Sequence, residues 1–433
     1  MQRIIRLLQG IIALALILVS LSQAQDVPLV SPESVGFSSE RLDRLTNAID
    51  HHIEQDLLAG TVVLVARDNQ IAYFQAAGMQ DKEQEIPIQS NTIFRIASMS
   101  KPITSVAVMM MYEEGHFRLS DPVSDFIPAF EEMQVLAAPD SGENATENIR
   151  IVPAKRSITI RHLLTHTSGL AYQWNDQVGD LYYEAGITHG LVEDTHTLSE
   201  DIPKLADQPL VHHPGEMFTY GLSVDVLGYL VEIVSGQPLD DFLRDRLFKP
   251  LGMDDTAFYV PKRKRSRLSA AYTVTDDGTL EQMGESPILQ DESLLYSATY
   301  PTSRDHRFLA GGAGLTSTVP DYYRFCQMLL NGGSLDGVQI LSPQTVKLMT
   351  TDHVGDLLDN NGFGLGFGVT RSLQEAGELD AVGRYYWGSF WYGTFFIDPA
   401  REIIAIALSN KHPAGDATLN QNLLTYVYQA FIQ

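Results

Sequence analysis

Strand-like runs lie at the two ends of this chain, and few lie between them. Near the start, residues 61–66 and 70–75 are rich in β-branched and aromatic side chains, and Asp68-Asn69 suits a tight hairpin turn. Near the end, residues 385–392, 394–397 and 403–408 form short runs of the same kind, parted by Gly393 and by Asp398-Pro399-Ala400-Arg401. Helical patterns flank both groups. Residues 38–54 place Leu42, Leu45, Ile49 and Ile53 at helical spacing behind Ser38 or Ser39 as cap, and residues 419–432 form a closing helix. Residues 119–307 read as helices and loops, punctuated by Asp121-Pro122, Pro128 and Ile202-Pro203. A sheet buries its apolar face only if its strands meet, so runs so far apart imply one discontinuous α/β (α+β) domain. The expectation is an antiparallel sheet flanked by helices, built from residues 25–118 and 308–433. A mainly helical domain, residues 119–307, is inserted between.

The first residues do not belong to that fold. Arg3 and Arg6 precede an apolar run over residues 11–21, and Ser22-Gln23-Ala24 offers small residues at a cleavage site. This is the layout of a secretory signal peptide, residues 1–24, and it predicts an exported, periplasmic or extracellular protein. Membrane association is expected only if the segment stays uncleaved. Without it the 30 Lys and Arg fall to 28 against 54 Asp and Glu, a net charge of −26 that disfavours nucleic acid as a partner. Cys326 is the single cysteine, so no internal disulfide forms, and its apolar helical surroundings (residues 322–330) mark a core residue.

The chemistry concentrates in Ser98-Met99-Ser100-Lys101. Residues three apart share a helix face, so Lys101 can set its amine beside Ser98 Oγ. Pro102 is tolerated only in a first helical turn, so the helix begins close to Ser98. Free N–H groups and the positive dipole end there favour a developing oxyanion. The pattern is the Ser-x-x-Lys of acyl-transferring serine hydrolases, here after a strand-like run (residues 93–97) and opening an apolar helix. Tyr220, just before another apolar helix, is the candidate second proton handler.

Three further segments are similar to landmarks of the class C β-lactamase superfamily, which includes D-alanyl-D-alanine carboxypeptidases and lactamase-like esterases. They are Ile160-Arg161-His162-Leu163-Leu164-Thr165-His166-Thr167-Ser168-Gly169-Leu170, Pro250-Leu251-Gly252-Met253 and Gly311-Gly312-Ala313-Gly314-Leu315-Thr316-Ser317-Thr318. The resemblance covers about residues 30 to 430. It implies an acyl-enzyme on Ser98, proton transfer shared by Lys101 and Tyr220, and no cofactor. It also implies an oxyanion hole from the backbone N–H groups of Ser98 and Phe390.

Two departures bear on substrate. The family's Tyr-x-Asn is here Tyr220-Gly221-Leu222, without the side-chain amide, although Ser223 next door carries a hydroxyl. The family's Lys-Thr-Gly matches Trp387-Gly388-Ser389, so tryptophan replaces the cation that would hold a substrate carboxylate, as in the esterase branch. Leu222, Trp387, Gly388 and Ser389 are the substrate-binding candidates. Eight of the twelve residues 385–396 are aromatic, which suits an apolar ester or amide and also suits sheet core. The expected function is therefore hydrolysis of a small-molecule carboxylic ester. A β-lactamase or carboxypeptidase is the nearest alternative, and a non-catalytic binder of cell-wall peptides or acyl ligands is one of another class.

Other signals read as structural. His162 and His166 stand four apart but lack a third ligand, so no metal is expected. His212-His213 before Pro214 suggests an exposed turn, the basic cluster Lys262 to Arg267 a solvated loop, and the glycine-rich residues 362–368 a strand with close backbone contacts. Thr318 is the expected cap of the Cys326 helix, with Asp321 as its partner.

Overall fold

The computed structural model describes residues 28–137, 150–290, 293–359, 361–376 and 379–433. The signal-like segment 1–24 lies outside the described residues, as do residues 139–149.

Eight antiparallel strands form one sheet from both ends of the described chain. In chain order they are β1 (Gly60–Arg67), β2 (Gln70–Asp81), β3 (Ile86–Pro87), β4 (Gly362–Phe363), β5 (Gly368–Val369), β6 (Tyr385–Gly388), β7 (Thr394–Asp398) and β8 (Ile403–Leu408). Their order in space is β4-β5-β6-β7-β8-β1-β2-β3. The join falls between β1 and β8, where Val62 stands opposite Leu408 and Leu64 opposite Ile406. Asp68 and Asn69 both have positive φ, 53° and 59°, as the tight turn between β1 and β2 requires.

Both faces of β1 are covered, which is why it reads as a continuous apolar run rather than an alternating one. Val62 and Leu64 pack into the main core, and Val63 and Val65 into a second core on the other face. All four are fully buried, each contributing about 1.5–3 kcal/mol of hydrophobic stabilisation. The second core is closed by α1 (Ser39–Glu54) and α5 (Leu419–Ala430). Ser38 is the α1 cap, its Oγ accepting the Arg41 N–H. The main core holds α2 (Ser100–Glu113), α3 (Ser223–Ser235) and α4 (Val319–Leu330).

Several local expectations change. The aromatic run from Tyr385 leaves the sheet at Gly388, and residues 389–393 form a turn in which Tyr392 has φ 58°. Residues 362–368 make two short strands, because Gly366 (φ 94°) lies against α2, where a Cβ would come 2.2 Å from Ser105 Oγ. Among the described residues, the middle stretch holds short antiparallel strand pairs besides its helices, such as Ile288–Gln290 with Leu294–Tyr296. His212 is buried rather than exposed, bonded to Thr219 Oγ1 and the His213 carbonyl. The basic cluster is a 3-10 turn in which Arg265 and Arg267 are half-buried and paired with Tyr259 and Asp255. Thr318 does cap α4, but the Asp321 carboxylate accepts from Thr256 and the Asp255 N–H instead of reciprocating.

Candidate active site

Ser98 sits where the chain turns sharply from strand to helix. The two-residue strand Phe94–Arg95 pairs with Thr316–Ser317, which brings residues 311–318 alongside. Ala97–Met99 then form a single 3-10 turn, and α2 begins at Ser100, not at Ser98. Ala97 has φ 36°, a conformation that side chains with a Cβ rarely adopt. Buried bonds hold it there. Tyr322 donates to the Met99 carbonyl at 3.0 Å, and Ser100 Oγ accepts the Leu315 N–H at 3.1 Å.

Lys101 and Tyr220 converge on Ser98 Oγ. The Tyr220 hydroxyl donates to it at 2.7 Å, and Lys101 Nζ stands 3.4 Å away. Lys101 is buried, and its three donors meet three acceptors, the other two being Tyr172 Oη and the Gly312 carbonyl at 2.8 Å each. Its ammonium also lies 4.5 Å from the centre of the Tyr220 ring. Burial pushes the Tyr172 phenol well above its usual range, so it meets Lys101 as a neutral acceptor. The Tyr220 ring is wedged between His166 at 4.8 Å and Trp387 at 5.5 Å. Burial first, and then Lys101, hold His166 well below the usual imidazole range, so it packs as a neutral ring.

One acid lies beneath this group. Asp225, in the first turn of α3, is buried, and its Oδ1 accepts the Gly312 N–H at 3.1 Å. Its Oδ2 has no hydrogen-bond partner among the described residues. Burial raises this carboxyl to about 6, against the pull of Lys101. Gly312 thus binds Asp225 through its N–H and Lys101 through its carbonyl. A Cβ there would come 2.7 Å from Asp225 Oδ2, so a larger residue would have to push the carboxylate aside.

Above Ser98 opens a cleft of about 410 Å³. Its walls are largely aromatic, including Tyr172, Trp174, Tyr386, Trp387 and Phe390, and among the described residues no Lys, Arg, Asp or Glu lines it. Gly388 and Ser389 line it too. Leu222 does not. It is 1% exposed and belongs to the main core, because the α3 start turns it inward. Ser223 is likewise buried, its hydroxyl paired with Ser168 Oγ at 2.8 Å. Neither the Ser98 N–H nor the Phe390 N–H bonds to another described residue.

The sequence from residue 45 to 427 matches the β-lactamase family. The chain belongs to the β-lactamase family. Esterase EstB of Burkholderia gladioli is 29% identical over 86% of this chain and 91% of its own length. A putative D-alanyl-D-alanine carboxypeptidase of Escherichia coli K12 is 28% identical over 91% of this chain and 88% of its own. Among solved structures, EstCE1, a hydrolase with promiscuous acyltransferase activity, superposes with a TM-score of 0.77 at 28% identity. That match covers 90% of this chain and 99% of EstCE1. The α/β fold and a serine hydrolase activity follow for this β-lactamase-family chain.

Sequence reasoning left out three parts of the group around Ser98. Gly312 stood inside the segment 311–318 without a role, and Asp225 was not singled out, since neither a glycine carbonyl nor a core acid signals itself. Tyr172 follows Leu170 by two residues, and nothing in its neighbours marks it as the partner of Lys101.

Proposed function

We propose that this β-lactamase-family hydrolase cleaves small carboxylic esters of uncharged, apolar acids or alcohols through an acyl-enzyme on Ser98. The observation that carries the reading is the convergence of Tyr220 Oη and Lys101 Nζ on Ser98 Oγ, in an aromatic cleft that no Lys or Arg lines among the described residues. Ser98 Oγ bonds to the carbonyl carbon, and its proton passes to the Tyr220–Lys101 pair, which must enter this step one proton short so that one of its members can accept. The carbonyl oxygen becomes an oxyanion facing the free N–H groups of Ser98 and Phe390. Collapse breaks the bond to the alcohol oxygen, which takes up the proton. Water then attacks the acyl-Ser98 ester, releasing the acid and restoring the hydroxyl.

A β-lactam or a D-Ala-D-Ala peptide presents a carboxylate, and that anion would enter this cleft unpaired. Such substrates are therefore disfavoured, whatever the names of some relatives. The signal-like residues 1–24 support action outside the cytoplasm.

The test sets a short-chain aryl ester beside a chromogenic cephalosporin, with wild type and Ser98→Ala. Ester turnover that vanishes in Ser98→Ala, with an acyl adduct on wild type by intact mass, is the expected result. Strong cephalosporin turnover with weak ester turnover would replace the reading by a lactamase. No turnover and no adduct would overturn it.

A further inference from the structure

The turn after β6 is tied down at several of its backbone groups. The Ser389 N–H donates to the Gly393 carbonyl at 2.8 Å, and the Trp391 N–H to Ser389 Oγ at 3.1 Å. The Phe390 carbonyl meets His412 Nδ1 at 3.2 Å, and the Trp391 carbonyl accepts the Lys411 N–H at 3.4 Å. The Phe390 N–H is left over, and Phe390 lines the cleft with Ser98.

His412 does more than fill space. Its ring lies flat on the Phe390 ring, with centroids 3.6 Å apart and planes within 17°. A carbonyl only accepts, so Nδ1 carries the proton that bonds Phe390. Gln290 Oε1 stands 3.2 Å from Nε2; with the proton on Nδ1 of a neutral ring both would be acceptors, so the amide is assigned turned over, with its NH2 end toward Nε2. Tyr296 packs edge-on against both His412 and Phe390 at 5.2 Å. One imidazole therefore holds Phe390 by carbonyl and by ring. The peptide planes on either side of a residue share its Cα. Holding the carbonyl and the ring places the Phe390 Cα and N, and the Ser389 bonds restrain the peptide plane before it, so together they limit how far the N–H can turn.

We propose that His412 is a positioning residue of the acyl-transfer site, aiming the Phe390 N–H at the oxyanion, with Gln290 setting its tautomer. The inference rests on the proposed ester hydrolysis at Ser98. A donor aimed at the oxyanion acts on the transition state, so its misdirection lowers kcat and leaves KM little changed. A loss of roughly 10- to 100-fold is expected, short of the 10²–10³ lost when an oxyanion donor is removed outright.

His412→Phe keeps the stack and removes the donor, whereas His412→Asn keeps a donor near Nδ1 and removes the stack. Both are assayed on the aryl ester beside wild type, with thermal midpoints recorded. The expected result is a kcat loss in His412→Phe at near-normal KM and midpoint, partly rescued in His412→Asn. Gln290→Leu gives an independent reading if His412→Phe fails to fold, with a smaller kcat loss expected at unchanged KM. Wild-type-like kcat in His412→Phe, or in Gln290→Leu where His412→Phe does not fold, overturns the inference. So does a loss carried by KM alone. Absent turnover and adduct in wild type would instead overturn the underlying ester reading, so the two failures are distinct.

Discussion

Asp225→Asn should make the protein more stable at neutral pH, although it removes the one acid beneath Lys101. The buried carboxyl is raised to about 6, burial being the main cause. In an unfolded chain it titrates near ~3.9. Below pH ~4 it is protonated in both states, and ionisation costs nothing. Between ~4 and ~6 the folded protein keeps a proton that the unfolded chain has released, so stability falls as pH rises. Above ~6 the cost is constant, at roughly 3 kcal/mol. Asparagine is neutral throughout and its Oδ1 can keep the Gly312 N–H. Its NH2 takes the place of the unpartnered Oδ2, much as the O–H of the protonated acid would. Equilibrium urea unfolding of wild type and Asp225→Asn at pH 4, 5, 6 and 7.5 reads this directly. The stability difference should be near zero at pH 4 and should grow to roughly 3 kcal/mol in favour of asparagine at pH 7.5. Taking the difference cancels Asp321, a second buried carboxyl raised to about 6. Asp225→Asn less stable than wild type at pH 7.5, or a difference that ignores pH, would refute the reasoning.

Other outcomes follow from the same geometry. Tyr220→Phe removes the hydroxyl 2.7 Å from Ser98 Oγ and should lower kcat by about 10²–10⁴ at similar KM, read on the aryl ester. Gly312→Ala drives a Cβ to 2.7 Å from Asp225 Oδ2 and should cost about 1–3 kcal/mol, seen as a lower urea midpoint. It should lose turnover as well, since Lys101 bonds the carbonyl of that residue. Trp387→Ala strips one aromatic wall and should raise KM for apolar esters about tenfold, a change of about 1.4 kcal/mol. Cys326 is fully buried, with its thiol pushed well up by burial, so a thiol reagent should label one site per chain only after denaturation.

Much of the frame was legible because local signals agreed with it. The Asp68-Asn69 turn, the Ser38 cap and the opposed runs over residues 61–66 and 403–408 each carry a short-range rule, and the structure obeys all three. The nearness of Ser98 and Lys101 was legible because a three-residue spacing across a helical start brings two side chains together. The site was not legible where position comes from tertiary packing. Whether the aromatics after Tyr385 stay in the sheet depends on the Ser389–Gly393 bond, not on β-propensity. Leu222 was misplaced for a related reason. Adjacency to Tyr220 in sequence says nothing about facing the cleft once the chain enters α3, and Leu222 buries itself in the core.

On the proposed function, the charge arrangement accounts for the selectivity of the cleft. Lys101 is the cation nearest Ser98, yet its ammonium bonds Tyr172, Gly312 and Ser98, and it lies above Asp225 rather than at the cleft wall. An entering carboxylate would give up its hydration and gain no free donor from this lysine, a poor exchange in low dielectric. A neutral ester carbonyl gives up far less. On the proposed mechanism its charge appears only as Ser98 attacks, where the N–H groups of Ser98 and Phe390 bond no other described residue. On the proposed reading, a cleft built this way favours charge that develops during reaction over charge carried in.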